Sequence, residues 1–249
     1  MAHILILGGT TEASALANVL AERGIPATLS YAGRVASPKP QPVPVRIGGF
    51  GGIEGLERYI GAHGITHLVD ATHPFAATMS GHALAAAQAT YTPLLTLTRR
   101  PWAPESGDRW QTVPDIAAAV ARLAGPPRRV MLALGRMHVE DFAAQPQHRY
   151  LLRFVDAPAQ RPALPDHHLV VDRGPFTVDG DTQLLRDHGV ELVVCKNAGG
   201  TGAQAKLVAA RRLGLPVLMI DRPPPTGARL VHGVGEVLEW LRHPADLGV

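Results

Sequence analysis

The chain has 249 residues, 46% of them hydrophobic and 18% charged, with a formal net charge of +3. That is enough apolar material for one large core or two compact lobes, and no apolar run approaches the roughly 18 residues that span a bilayer. A single cysteine, Cys195, excludes an internal disulfide and a multi-cysteine zinc site; with no basic leader and no basic run interleaved with aromatics, a cytoplasmic, metal-free protein that binds neither membrane nor nucleic acid is expected.

Along the first half, residues 4–7 read as a strand, 11–23 as a helix, 27–30 and 43–47 as strands and 52–63 as a helix. A strand at 66–70, a small-residue helix at 75–89 and a strand at 94–98 follow. The second half repeats the rhythm, with strands at 129–134, 150–154, 169–171, 191–195 and 217–220 and helices near 178–188, 203–213 and 234–242. Such alternation builds parallel βαβ units with both sheet faces covered. Pro and Gly clusters punctuate the chain at 36–44, 101–107, 125–127, 156–165 and 222–227, and Gly125-Pro126-Pro127 is the best boundary. The expected fold is α/β, with two Rossmann-like lobes (1–125 for the cofactor, 126–249 for the substrate) and a cleft between them. One large doubly wound sheet is the alternative.

The first strand runs into Gly8-Gly9-Thr10-Thr11-Glu12 and then a helix. Glycines let backbone approach a pyrophosphate, and a helix N-terminus offers free N–H groups, so these five residues form the candidate cofactor loop. The Thr10 and Thr11 hydroxyls could donate to phosphate; Glu12 is better suited to ordering the loop, because its charge repels phosphate. A plain tight turn is the alternative. After the second strand, Leu29-Ser30-Tyr31-Ala32-Gly33-Arg34 lacks the acid that holds the ribose hydroxyls in NAD sites. Ser30 and Arg34, with Gly33 between them, suit a 2′-phosphate, which favours NADPH.

The segment Asp70-Ala71-Thr72-His73-Pro74-Phe75-Ala76 follows a buried strand and opens a helix, at the sheet edge where ligands bind in open α/β folds. Asp70 and His73 are the candidate catalytic pair; helix capping and local packing are their alternative roles. Further on, Lys196-Asn197-Ala198-Gly199-Gly200-Thr201 closes another strand and Lys206 follows in a helix. No Walker A pattern is present, which leaves an anion cradle or a structural turn. Arg99, Arg136 and Arg173 each follow a strand, and with Lys196 they make a set of cations suited to several carboxylates. Arginines outnumber lysines 21 to three, which base composition alone can produce. Tyr-x-x-x-Lys and G-x-S-x-G are both absent.

Taken together, these segments, with residues 47–52, Arg99-Arg100-Pro101-Trp102, Arg173-Gly174-Pro175-Phe176, Ala205-Lys206 and residues 217–223, resemble the precorrin-6A reductase family. The resemblance spans about residues 3–242, with Ala198 standing where the family pattern leads to Ser. It implies an NADPH-dependent reductase of cobalamin biosynthesis that reduces one double bond of a ring-contracted tetrapyrrole, and two Rossmann-like lobes with a strand exchanged between them. It also implies Thr72 at the cofactor, and Arg99, Trp102, Arg136, Arg173, Lys196, Asn197, Gly200, Thr201 and Lys206 around the carboxylate-bearing macrocycle. Trp102, Phe75 and Phe176 would serve as apolar walls. Neighbouring pathway enzymes are the expected protein partners. Another NADP-linked reductase and a non-catalytic dinucleotide sensor are the competing readings of the residues.

Overall fold

The computed structural model describes residues 2–33 and 40–242. The chain opens with β1 (Ile4–Leu7), α1 (Thr11–Glu22), β2 (Ala27–Tyr31), β3 (Val45–Ile47), α2 (Ile53–Ala62), β4 (His67–Asp70), α3 (Ala77–Ala89) and β5 (Leu94–Leu97). It continues through β6 (Arg109–Val113), α4 (Ile116–Arg122), β7 (Arg129–Ala133), β8 (Arg149–Phe154) and β9 (His167–Val171). Next come α5 (Val178–Asp187), β10 (Leu192–Lys196), α6 (Ala205–Arg212) and β11 (Pro216–Ile220), and the chain closes with β12 (Arg229–Val231) and α7 (Val234–Arg242).

Two all-parallel six-stranded sheets result, ordered β12-β5-β4-β1-β2-β3 and β6-β11-β10-β7-β8-β9. Both follow one plan. A first strand (β1 or β7) sits centrally, two successors lie on one side and two later strands on the other, as in dinucleotide-binding folds. The sixth place is filled out of turn. β6 follows β5 in the chain but pairs with β11, Arg109 to Val113 opposite Pro216 to Ile220. β12 follows β11 but pairs with β5, Leu230 opposite Thr96. Each unit's last strand has been traded for the other's, as the resemblance implies.

This trade moves the unit boundaries. One compact unit runs to Arg100 and resumes at Pro224, and the other is Pro101–Pro223. The expected boundary at 125/126 therefore falls inside the second unit, because β6 and α4 belong to that unit's sheet and cover. The chain passes between units twice, at 100–101 and 223–224.

In the first unit β1 is buried on both faces. Ile4 and Ile6 pack with Leu16 and Leu20 of α1 and Val237 and Trp240 of α7. Leu5 and Leu7 pack with Leu56 and Ile60 of α2 and Ala83, Ala86 and Ala87 of α3. Full burial of each such aliphatic side chain stabilises by about 1.5–3 kcal/mol. The alanine face of α3 adds little area but lets its backbone approach the sheet closely.

In the second unit Met131, Val193, Cys195 and Met219 pack with Leu185 of α5 and Leu207 and Ala210 of α6. Burial pushes the Cys195 thiol up to about 11, and its Sγ contacts Met219 Sδ at 3.8 Å, so it is an inert core thiol. Among the described residues no helix is long and apolar enough to cross a membrane, and no cluster of three or more His, Cys, Asp or Glu could hold a metal.

Candidate active site

In sheets of this plan ligands bind beyond the carboxyl ends of the strands, where the winding direction reverses. In the first unit that point lies between β1 and β4. The Gly8 N–H donates to Ser30 O at 2.9 Å, and a Cβ on Gly8 would sit 2.5 Å from Leu29 Cδ1. Gly9 has φ +120°, a region that side chains avoid. The turn therefore has to be glycine twice over, and it delivers backbone directly to the N-terminus of α1.

The side chains around that turn are committed to one another. Thr10 Oγ1 accepts from Ala13 N at 3.2 Å, capping α1. The same hydroxyl donates to Ala71 O at 2.7 Å and so ties the loop after β1 to the loop after β4. Its one proton is thus occupied, and Thr10 is a brace rather than a phosphate donor. The Thr11 hydroxyl donates to Glu12 Oε2 at 3.1 Å. Glu12 in turn lies 3.6 Å from Arg99 Nη1, an ion pair with side chains 21% and 18% exposed. Glu12 orders the loop, and Arg99, expected beside substrate, is ion-paired at the turn after β1.

At the end of β2 the buried Ser30 hydroxyl accepts from Arg46 Nη1 at 2.8 Å. Gly33 takes φ +77° there, and Arg34 lies outside the described residues. Sequence reasoning missed Arg46. It stands on β3 opposite Ser30, donates to Gly48 O at 2.8 Å and Gly49 O at 3.0 Å, and stacks on Phe50 with its Cζ 3.8 Å from the ring centroid. Every one of these partners is neutral, and among the described residues no carboxylate pairs with Arg46. Burial lowers its pKa, against an opposing electrostatic influence from Tyr59. A partly desolvated guanidinium pinned without a counter-charge is a prepared anion site. The legible signal was an arginine just before the Gly48-Gly49-Phe50-Gly51-Gly52 loop.

At the end of β4, Asp70 is 2% exposed. Its Oδ1 accepts from Thr72 N at 3.1 Å and Thr72 Oγ1 at 2.7 Å, an Asx turn that turns the chain away from the sheet. Asp70 and Thr72 thus shape the loop that carries His73. His73 Nδ1 accepts the Phe75 N–H at 3.2 Å, so a neutral His73 carries its proton on Nε2. Its ring lies against Phe75 at 5.8 Å between centroids.

In the second unit the reversal lies between β7 and β10. Exposed Arg136 opens the 3-10 turn Arg136–His138 after β7, and half-buried Lys196 ends β10. Both therefore occupy the carboxyl edge. Asn197 does not face outward. Its Oδ1 accepts from Trp102 N at 2.8 Å and its Nδ2 donates to Trp102 O at 3.1 Å. Trp102 Nε1 donates to Gly200 O at 2.7 Å, and Arg222, another residue missed from sequence, donates to Asn197 O at 2.9 Å and Ala198 O at 3.0 Å. Lys206 is 4% exposed, donates to Ala203 O and lies 4.8 Å from the Trp102 ring centroid. Asn197, Trp102 and Lys206 therefore build the 197–200 loop; buried Lys206 is not the substrate cation it was expected to be. Gly200 has φ +73° within that loop, and Thr201 follows it, exposed. Arg173 pairs with Asp156, and Phe176 lies beneath the Arg153 guanidinium at 3.8 Å, with Arg153 in a buried pair with Asp181.

A model of the family described as precorrin-6x reductase CbiJ/CobK matches residues 3–242. A precorrin-6A reductase of Rhodobacter capsulatus is 54% identical over 241 residues, covering 97% of this chain and 96% of that protein. A cobalt-precorrin-6A reductase of Priestia megaterium is 31% identical over 88% of this chain and 90% of its own length. A solved structure described as CobK precorrin-6A reductase superposes with a TM-score of 0.93 at 53% identity, covering 98% of both chains. Twin glycine turn, exchanged strands and near full-length identity agree, and the chain belongs to the precorrin-6x reductase family.

Proposed function

We propose that this chain uses NADPH to reduce one carbon–carbon double bond of precorrin-6A, giving precorrin-6B in cobalamin biosynthesis. The substrate rests on what the similar proteins are called. The cofactor rests on Arg46, a preorganised guanidinium whose partners among the described residues are all neutral, at the strand end where dinucleotide folds place the 2′ position of the adenosine ribose. A 2′-phosphate supplies the missing negative charge; the two hydroxyls of NADH do not.

The residues present fit a dinucleotide. Gly8, Gly9 and the first turn of α1 would hold the pyrophosphate, and Arg46 with Gly33 the 2′-phosphate. When bound, the nicotinamide supplies a hydride. This chain's residues do the rest. Asp70 and Thr72 fix the loop that presents His73, and His73 holds a proton on Nε2 for the carbon next to the reduced one. Arg136 and Lys196 of the second unit bind the acetate and propionate arms of the substrate, and the Trp102–Asn197 clamp keeps Lys196 in place.

The test is anaerobic incubation of the purified protein with NADPH and precorrin-6A, following loss of reduced nicotinamide and the change in the pigment spectrum. Both signals should change in one-to-one proportion, and NADH should serve far less well. Binding of NADPH with no change in the pigment would overturn the substrate assignment, whereas equal use of NADH would overturn the cofactor assignment.

A further inference from the structure

The second unit has a cavity that the reductase reading leaves unused. It encloses about 300 Å³ and is lined by Arg129, Arg149, His168, Asp187 and His188, with Val130, Tyr150, Leu151 and Val190. Arg129 begins β7 and Arg149 begins β8, so the cavity lies at the amino edge of the sheet. The carboxyl edge, with Arg136 and Lys196, is a strand length away, about 13 Å at a rise of about 3.3 Å per residue.

Two guanidiniums and two imidazoles line the cavity with one carboxylate, Asp187; two more flank it, Asp166 beside Arg149 and Glu191, whose Oε2 accepts from Arg129 N at 2.8 Å. His168 and His188 are stacked at 4.6 Å between centroids. Asp187 accepts from Gln183 Nε2 at 2.6 Å, and Arg149 has only a long contact of 3.6 Å to Asp166, both of them 61% exposed. The Arg129 guanidinium has no hydrogen-bonded or ionic side-chain partner among the described residues. It lies against Gly189, where a Cβ would come within 2.2 Å of its Nη1. The Tyr150 hydroxyl is committed to Phe142 O and Gln145 O.

A plainer role for these cations would be to satisfy the carbonyls ending α5. Those carbonyls already have backbone donors: His188 N to Leu184 O at 3.3 Å, Val190 N to Leu185 O at 2.9 Å and Gly189 N to Arg186 O at 2.9 Å. The positive charge is therefore surplus to the helix end.

We propose that this cavity binds a small phosphate-type oxyanion, either free phosphate or the phosphoryl group of a small metabolite, between Arg129, Arg149, His168 and His188. Forked guanidiniums suit such oxygens, and the volume admits a phosphate with a short organic stem. An anion here favours the protonated imidazoles. It opposes the lowering of the His188 pKa that burial causes, to which His168 and Arg149 add and which Asp187 resists. Affinity should therefore rise as pH falls through the imidazole range.

The test is NMR titration of the full chain, following the Cε1–H signals of His168 and His188, assigned with His168→Gln and His188→Gln. Sulfate is the first probe because its charge does not change across the range; inorganic phosphate and glycerol phosphate follow. Both signals should shift saturably, with a dissociation constant of about 1 mM or below, and the His188 imidazole should titrate at higher pH with sulfate bound. Arg129→Gln and Arg149→Gln should each weaken binding about fivefold or more. Tighter binding of glycerol phosphate would identify a metabolite phosphoryl group as the ligand, and tighter binding of phosphate the free ion. Shifts that fail to saturate, or that persist unchanged in both arginine variants, would overturn the site.

Discussion

The two units share one strand order but equip its carboxyl edge differently. At the first unit's reversal point the polar side chains face one another: Thr10 bonds Ala71, Asp70 holds Thr72, Glu12 pairs with Arg99. Beside these lie the backbone of the turn and the Arg46 guanidinium, with which no carboxylate pairs among the described residues. At the second unit's edge the interlocking sits one layer back, in Trp102, Asn197, Lys206 and Arg222, and cationic side chains on strand ends and loops do the presenting. A dinucleotide has a fixed shape that a rigid backbone turn can match, whereas a macrocycle with many carboxylate arms needs long, adjustable cations. On the proposed function, the same fold plan would serve a small-print reader in one unit and a broad grip in the other.

The contrast can be broken most sharply at His73. If the loop after β4 presents a proton, His73→Ala should slow single-turnover reduction by about 10²–10³-fold with cofactor affinity near normal, since general acid catalysis contributes on that scale and solvent retains part of it. Asp70→Ala should slow it less, because it loosens the loop without removing the proton. A folded His73→Ala variant with no detectable turnover would make His73 indispensable, and residual turnover that no longer falls at alkaline pH would identify His73 as the proton donor.

Next in size is the cofactor discrimination. Arg46→Gln should weaken NADPH binding about tenfold or more, a loss near 1.4 kcal/mol, and leave NADH binding nearly unchanged. Gly55→Ala should mimic it indirectly. A Cβ there would fall 1.7 Å from Phe50 O, so the loop that stacks on Arg46 must move. Equal losses for the two cofactors in Arg46→Gln would remove the residue from the 2′-phosphate. The substrate side should respond in the opposite sense. Arg136→Gln and Lys196→Gln should raise the substrate KM about fivefold while NADP binding stays within about threefold.

Much of this contrast was legible in sequence because it is local. The central strands are continuous apolar runs, and Gly8-Gly9 at the end of the first of them can only be a tight turn. The exchanged strands were expected from the family resemblance alone and were not legible in the residues themselves. β6 is Arg-Trp-Gln-Thr-Val at a sheet edge with only Val113 buried, and β12 is three residues with only Val231 buried. Edge strands lack the two-sided apolar signature. Side-chain duties were hidden for another reason: Thr10 meets Ala71 across 61 positions and Trp102 meets Asn197 across 95, distances no spacing rule reaches. Lys206 read as a surface cation because its aromatic and carbonyl partners appear only once the chain has folded.

The last expected effect is on stability rather than on turnover or binding, and concerns how the second unit holds its borrowed strand. Asp108, just before β6, has a side chain 1% exposed and 2.9 Å from Arg211 Nε on α6. Its Oδ2 accepts from Arg211 Nη2 at 3.0 Å and from Glu105 N at 2.7 Å. Burial alone would raise the Asp108 pKa, but the hydrogen bonds from Arg211 and Glu105 and the charge of Arg211 outweigh it, and the net shift is downward. A carboxylate with a folded pKa below its unfolded value stabilises the fold above the unfolded pKa, and that contribution fades as pH falls through the folded value. Asp108→Asn should therefore cost about 1–3 kcal/mol at neutral pH, the scale of hydrogen bonds to charged groups, a shift of a few degrees in Tm. The difference from the parent should shrink once the pH drops below about 4, where the unfolded carboxyl takes up its proton. Thermal unfolding of both proteins at neutral and acid pH measures it. A gap in Tm that stays constant with pH would mean that Asp108 acts through its shape, and that the charge on Arg211 does not fasten β6 in place.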